Sequence, residues 1–121
     1  MNLNKGVHTM KNVKITVLKT TFQDDLAREY GVDGLGPCPM HRAGDVYFGD
    51  YAKPAGLCDE AWKAIYQYVF ALAHGAPEKL WYYGDWMKTP GTAICSCNDG
   101  IRPVIFKLEV TDEEATPPAA P

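Results

Sequence analysis

The segment that most constrains the fold is residues 91–110, GTAICSCNDGIRPVIFKLEV. Two apolar runs rich in β-branched residues flank Asn98-Asp99-Gly100. Such a turn sequence between β-prone runs is among the strongest short-range signals for a β-hairpin. We therefore expect two antiparallel strands near the carboxyl end of the chain, around which the other elements are organised.

The register of this hairpin decides which face of the sheet carries Cys95 and Cys97. Side chains alternate along a strand, so the two thiols point to the same face. We expect a three-residue loop over residues 98–100, with Gly100 left-handed, because it leaves one face uniformly apolar. That face consists of Ile94, Val104, Phe106 and Leu108, and both cysteines then lie on the opposite face beside Ile101, Pro103 and Ile105.

A two-residue turn at Asp99-Gly100 is the alternative for the hairpin. It pairs Cys95 with Val104 and turns both thiols to the core side of the sheet. The sequence leaves this second register open.

The first part of the chain predicts a strand and a short helix. Residues 13–17 alternate strictly between apolar and polar side chains, so Val13, Ile15 and Val17 should face the core. Phe22, Leu26 and Tyr30 recur every four residues, which is typical of one stripe of a helix, and Gly31 suits its end.

The middle of the chain predicts a glycine-rich loop, a short strand and the main helix. Residues 31–44 contain the loop, and residues 45–50 are β-prone, with Val46 and Phe48 on one face. The main helix is expected over residues 58–74 and ends before Gly75. Its apolar stripe comprises Trp62, Ile65, Tyr66, Val69, Leu72 and Ala73.

These elements follow the order β-α-β-α-β-β in a chain of 121 residues. The order predicts an α+β fold, a small and mainly antiparallel sheet with two helices packed on one face. We expect a flexible lead-in over residues 1–12, a single domain over residues 13–110, and a disordered acidic and proline-rich tail over residues 111–121.

Composition excludes some functional classes. Twelve Lys and Arg against fifteen Asp and Glu give a net charge of −3, which argues against a nucleic-acid partner. No apolar run reaches the roughly 20 residues of a membrane span, and the first residues lack the apolar segment of a signal peptide. We therefore expect a cytoplasmic protein without a membrane partner, whose four cysteines are thiols or metal ligands rather than disulfides.

Three blocks of the sequence resemble a family of small, single-domain, uncharacterised prokaryotic proteins. The blocks are Gly36-Pro37-Cys38-Pro39, the CDEAW run at residues 58–62, and the CxDGxRPVxFKLE run at residues 97–109. The family carries no established activity, so the resemblance implies no catalytic residues. It implies only that Cys38, Cys58 and Cys97 fall inside its signature blocks.

The leading functional hypothesis is a transition-metal site formed by thiolates. Its predicted ligands are Cys38, Cys58, Cys95 and Cys97, with His41 as a spare ligand. Zinc or iron takes such nitrogen and sulfur ligands tetrahedrally, and soft thiolates also suit cuprous copper. Against this hypothesis, Cys95-Ser96-Cys97 is the one close cysteine pair, whereas a structural zinc site usually has two.

Two other functions compete with metal binding. Cysteine is also a small residue that favours burial. Alternatively, Cys58 or Cys97 can serve as the nucleophile of a small thiol-dependent enzyme, and Cys58 lies at a helix start, which favours the thiolate. The aromatic loop over residues 81–87 can instead meet a protein partner in a non-catalytic interaction module. The candidate ligand-binding residues are Trp81, Asp85 and Trp86 in that loop, and Asp99 and Arg102 beside the hairpin turn.

Overall fold

The structure, a computed structural model of the chain, describes residues 10–76 and 86–115. Six elements occur in these ranges, in the predicted order. They are β1 (Lys11–Thr20), α1 (Asp24–Tyr30), β2 (Val46–Gly49), α2 (Asp59–Ala73), β3 (Thr92–Ser96) and β4 (Val104–Glu114). The strands form one antiparallel sheet in the order β2-β1-β4-β3, and the predicted α+β class is confirmed.

The core lies between the sheet and α2, which packs across β1, β3 and β4. Val13, Ile15 and Val17 of β1 are buried, as their alternation predicts. β4 contributes the same period-two pattern, and α2 contributes residues three or four apart. The buried side chains of these two elements are Val104, Phe106 and Leu108, and Ala61, Ile65, Val69, Leu72 and Ala73.

The hairpin register differs from both expectations. Cys95 pairs with Phe106, and Ile94, expected in the core, pairs with Lys107 on the exposed face. The pairings of the three-residue loop and of the two-residue turn are therefore both wrong. Of the predicted core face, Val104, Phe106 and Leu108 are buried as expected, and only Ile94 is not. The alternative was right only in turning both thiols to the core side.

The connection between β3 and β4 is longer than either predicted turn, because residues 101–103 form hydrogen bonds with the segment before α1 and not with β3. The backbone N–H of Gln23 donates to the Ile101 carbonyl, and that of Thr21 donates to the Pro103 carbonyl, both at 2.8 Å. β3 and β4 therefore first pair where the Cys97 N–H donates to the Val104 carbonyl, at 3.1 Å.

The first and last strands extend beyond the predicted domain. β1 begins at Lys11 and β4 ends at Glu114, and these two residues are partners in the sheet. The expected flexible lead-in and disordered tail are therefore wrong for residues 11–12 and 111–114, because each strand satisfies the backbone groups of the other. The remaining parts of both segments lie outside the described residues, apart from Met10 and Ala115, whose backbones are hydrogen-bonded to each other.

One of the two short apolar patterns is confirmed and the other is not. Val46 and Phe48 share a face of β2, as predicted; that face is exposed, and Gly49 is buried against Ile15 and Trp62. In α1 the buried residue is Ala27 rather than a member of the predicted stripe. Across the described ranges, no helix combines the length and apolar character needed to cross a membrane.

Candidate functional site: a cavity lined by three thiols

A cavity of about 330 Å³ opens where the 31–44 loop, the start of α2 and the β3–β4 connection meet. Cys38, Cys58 and Cys97 all line it, although they come from these three separate segments. We call this space the thiol cavity and define it by its principal lining residues, Cys38, Met40, Cys58, Cys97, Asp99 and Arg102.

Cys97 follows the last residue of β3 and points to the core side of the sheet. Its sulfur lies 3.3 Å from the backbone nitrogen of Val104, which donates a hydrogen bond to it. Since the pairing of β3 and β4 ends here, the thiol is only partly buried and borders the cavity. Cys97 thus combines a fixed hydrogen-bond donor with access to a ligand.

Cys58 is the N-cap residue of α2. Its carbonyl accepts the first helical hydrogen bond, from Trp62 at 2.9 Å, and its own N–H donates to Nε2 of His41 at 3.3 Å. The thiol therefore lies at the positive end of the helix dipole, where negative charge is favoured.

His41 holds the 31–44 loop against the start of α2. Because Nε2 accepts from Cys58, the ring proton is assigned to Nδ1, which donates to the Tyr47 hydroxyl at 3.2 Å. Burial lowers the pKa of His41, and the charge of Asp45 opposes this only in part, so the neutral ring is favoured. Both ring nitrogens are engaged, and the predicted spare metal ligand is in this structure a positioning group.

Asp99 and Arg102 form a clamp at the edge of the cavity. Oδ1 of Asp99 accepts hydrogen bonds from the backbone nitrogens of Ile101 and Arg102, and Oδ2 accepts from Arg102 Nε, all at 2.9 Å. The backbone hydrogen bond from Arg102 is the main reason why the pKa of Asp99 is lowered, and burial opposes it. The carboxylate therefore shapes the turn and fixes the guanidinium.

The Arg102 guanidinium also lies near two of the thiols. The pKa of Arg102 is raised first by the hydrogen bond with Asp99, burial opposes this, and Cys38 and Cys97 are the smallest of the contributions that raise it. Sequence reasoning named both Asp99 and Arg102 as ligand-binding candidates but did not connect them to the cysteines. The Arg102 guanidinium thus lines the same cavity as the three sulfurs.

The predicted metal ligands do not all come together. Cys95 is 8% exposed and belongs to the core, where it pairs with Phe106 in the sheet. Among residues 10–76 and 86–115, no group of three or more His, Cys, Asp and Glu side chains is arranged to hold a metal ion. The five-ligand site is therefore not assembled in this structure, although three of its sulfurs line one cavity.

The aromatic loop contributes little to the described site. Trp81 and Asp85 lie outside the described residues, and Trp86 is 64% exposed. Sequence reasoning also missed Met40 and the Val104 N–H. The N–H carries no sequence signal, because every residue other than proline has one.

Comparisons with protein-family models, curated proteins and solved structures found no match to this chain. The resemblance to an uncharacterised prokaryotic family stays a prediction, and the function is argued from the cavity alone.

Proposed function

We propose that this protein is thiol-dependent and acts on a small molecule bound in the thiol cavity, with Cys97 as the nucleophile. The observation that carries the proposal is the convergence of Cys38, Cys58 and Cys97, from three separate segments, on one cavity beside the Arg102 guanidinium. Reactive cysteines occupy electropositive, partly exposed sites of this kind, whereas fully buried ones are inert.

Cys97 is the best-placed nucleophile of the three. Its sulfur already accepts the Val104 N–H, and a hydrogen bond to sulfur stabilises negative charge on it. The Arg102 guanidinium lines the same cavity and is held in place by Asp99, whose carboxylate offsets part of its charge. Cys38 shares the cavity with Arg102, but its sulfur accepts no comparable backbone hydrogen bond among the described residues. Cys58 lies at the positive end of α2 and likewise accepts no such bond there.

The cavity suits a small ligand with an apolar body and a polar end. Its volume of about 330 Å³ lies at the lower end of the range for small-molecule sites. Met40 and Val104 give it an apolar wall. Its charged edge carries the Arg102 guanidinium together with the carboxylates of Glu60 and Asp99. Since Asp99 engages only Nε of the guanidinium, the two Nη groups have no partner among the described side chains and can donate to a polar group of a ligand.

Transition-metal binding remains the competing proposal, because the same three thiols attract soft ions such as zinc or cuprous copper. It requires the sulfurs to close on one ion at about 2.3 Å each, which is a tighter arrangement than the present one. A protein-interaction role through residues 81–87 draws no support from the described structure.

Alkylation kinetics of the reduced full-length chain test the proposal. Iodoacetamide at pH 7, followed by peptide mapping, should modify Cys97 first. Because the Val104 N–H donates to its sulfur and Arg102 lines the same cavity, Cys97 should react faster than free cysteine under the same conditions. Arg102→Gln should slow this reaction, and Arg102→Lys, which keeps the charge, should slow it less.

The same assay separates the competing proposals. Cys95→Ala is the matched control, since that cysteine lies in the core, and it should leave the alkylation rate of Cys97 unchanged. A Cys97 rate no higher than that of free cysteine would contradict the proposal. Stoichiometric zinc or cuprous copper that protects Cys38, Cys58 and Cys97 together from alkylation would favour metal binding instead.

A further inference from the structure

We infer that the substrate class of the thiol cavity is a hydroperoxide, reduced by Cys97 with Cys38 as the second thiol of the cycle. This inference rests on the proposed function and adds both the substrate class and the partner sulfur. It follows from the number and placement of the thiols. A nucleophile that only accepts a group from a substrate and passes it on needs no second sulfur in its site.

Cys38 is the second thiol because it lines the same cavity as Cys97 and Arg102 and is not fixed by a helix or strand. Cys58 also lines the cavity, but it is the N-cap residue of α2, and its carbonyl and N–H are both hydrogen-bonded. Cys38 also lies in the 31–44 loop between Pro37 and Pro39, outside any helix or strand. Its thiol can therefore approach Cys97 without breaking the sheet or α2.

The chemistry balances with a hydroperoxide as the oxidant. The Cys97 thiolate attacks the terminal oxygen of the hydroperoxide, an S–O bond forms, and the O–O bond breaks. The alkoxide, or hydroxide from hydrogen peroxide, leaves and takes up a proton from water. Sulfur is oxidised by two electrons to the sulfenic acid, and the peroxide is reduced by two.

The second step closes the cycle inside the cavity. The Cys38 sulfur attacks Cys97 Sγ, the S–S bond forms, and the S–O bond breaks. Hydroxide leaves with the Cys38 proton as water. A dithiol reductant then restores both thiols by exchange. Arg102 is suited to this reaction because its charge stabilises first the thiolate and then the leaving alkoxide.

The surroundings of the cavity fit such a substrate. The apolar lining from Met40 and Val104 suits an alkyl hydroperoxide better than a highly charged molecule. The Asp99 clamp holds Arg102 before any substrate binds, and a preorganised charge requires little rearrangement during the reaction.

The experiment treats the reduced full-length protein at pH 7 with one equivalent of cumene hydroperoxide, and in parallel with hydrogen peroxide. We expect the mass to fall by two hydrogen atoms and peptide mapping to show a Cys38–Cys97 disulfide. The reaction should be faster than that of free cysteine under the same conditions.

Single variants separate the two steps. In Cys38→Ser the first step should remain, and dimedone should trap a sulfenic acid on Cys97. In Cys97→Ser the fast reaction with peroxide should be lost. Cys95→Ala should behave like the unmodified chain, and circular dichroism of each variant checks that it is folded.

Failure of this inference is distinguishable from failure of the proposed function. Fast alkylation of Cys97 by iodoacetamide, together with a peroxide rate no higher than that of free cysteine, would overturn the hydroperoxide assignment alone. A Cys58–Cys97 disulfide would overturn the role of Cys38. Slow alkylation of Cys97 would overturn both proposals.

Discussion

Cys95 and Cys97 lie two residues apart on the same side of the hairpin, yet they occupy different chemical surroundings. Cys95 is enclosed by the core and pairs in the sheet with Phe106. Cys97 lies where the pairing of β3 and β4 ends, with its sulfur beside the Val104 N–H and on the border of the thiol cavity. Both thiols point to the same side of the sheet because they are two residues apart along one strand. Only Cys97, just past the end of β3, is accessible to a ligand in the cavity.

This difference separates a region that provides stability from a region that provides chemistry. The core is apolar and closely packed, so changes there should lower the free energy of unfolding. The thiol cavity is built from loop backbone, a helix start and an ion pair, so changes to its thiols should act mainly on reactivity. The four predictions below test this division, from the largest expected effect to the smallest.

The core should respond most strongly to loss of its largest side chain. Phe106 is fully buried, and Phe106→Ala should lower the free energy of unfolding by about 3–5 kcal/mol. Phe48→Ala is the matched control, because that ring is 51% exposed, and its effect should stay within about 0.5 kcal/mol. Urea denaturation measures both, and similar losses for the two variants would contradict the assignment of the core.

His41 should link the cavity to stability in a pH-dependent way. His41→Leu removes the acceptor of the Cys58 N–H and should lower the free energy of unfolding by about 2 kcal/mol at pH 7.5. His41→Gln, which retains an acceptor group, should lose less.

The pH dependence has a defined direction. Burial lowers the pKa of His41 below its ordinary value of 6.5, so the unfolded chain takes up the proton first as the pH falls. The contribution of His41 is therefore fully present above pH 6.5 and is lost as the pH falls from there through the folded pKa. Denaturation curves at several pH values should show this loss in the unmodified chain and not in His41→Leu.

Local periodicity was enough to predict the parts of the fold that depend on one element at a time. Val13, Ile15 and Val17 face the core as their alternation requires, and α2 spans Asp59–Ala73 within the predicted range. Both patterns result from the geometry of a single strand or helix, and no contact between distant segments is needed to read them.

The hairpin register was not predictable in this way. It depends on Thr21 and Gln23, which bind the carbonyls of Pro103 and Ile101 about eighty residues further along the chain. The turn sequence Asn98-Asp99-Gly100 favours a tight hairpin locally, and this tertiary contact overrides it. The face of Cys97 was therefore open until the fold was known.

The site was predicted in part for the same reason. The identities of Cys38, Cys58 and Cys97 and of Asp99 and Arg102 followed from residue type, but their shared cavity did not. His41 was expected as a metal ligand because of its spacing from Cys38. Its orientation is set by Tyr47 and the Cys58 backbone, which no spacing rule includes.

The Asp99 clamp should have a smaller effect on stability than His41. Asp99→Ala removes three hydrogen bonds from a partly exposed turn, and we expect a loss of about 1.5 kcal/mol. Because its pKa is lowered in the folded state, the contribution of Asp99 is present above its unfolded value of 3.8 and is lost as the pH falls through the folded pKa. The variant should also slow Cys97 alkylation, since Arg102 loses its anchor. An unchanged alkylation rate would show that the clamp does not serve the cavity.

The smallest expected effect is also the most direct test of the division between the two thiols. Cys95→Ala removes a buried sulfur and should lower the free energy of unfolding by about 1 kcal/mol, because apolar contact is lost in the core. Cys97→Ala removes a partly exposed sulfur and should change it by less than about 0.5 kcal/mol. Reactivity should rank in the opposite order, since fast alkylation depends on Cys97 and not on Cys95. If both variants lost stability equally and the remaining thiols reacted alike, access at the end of β3 would not distinguish these two cysteines.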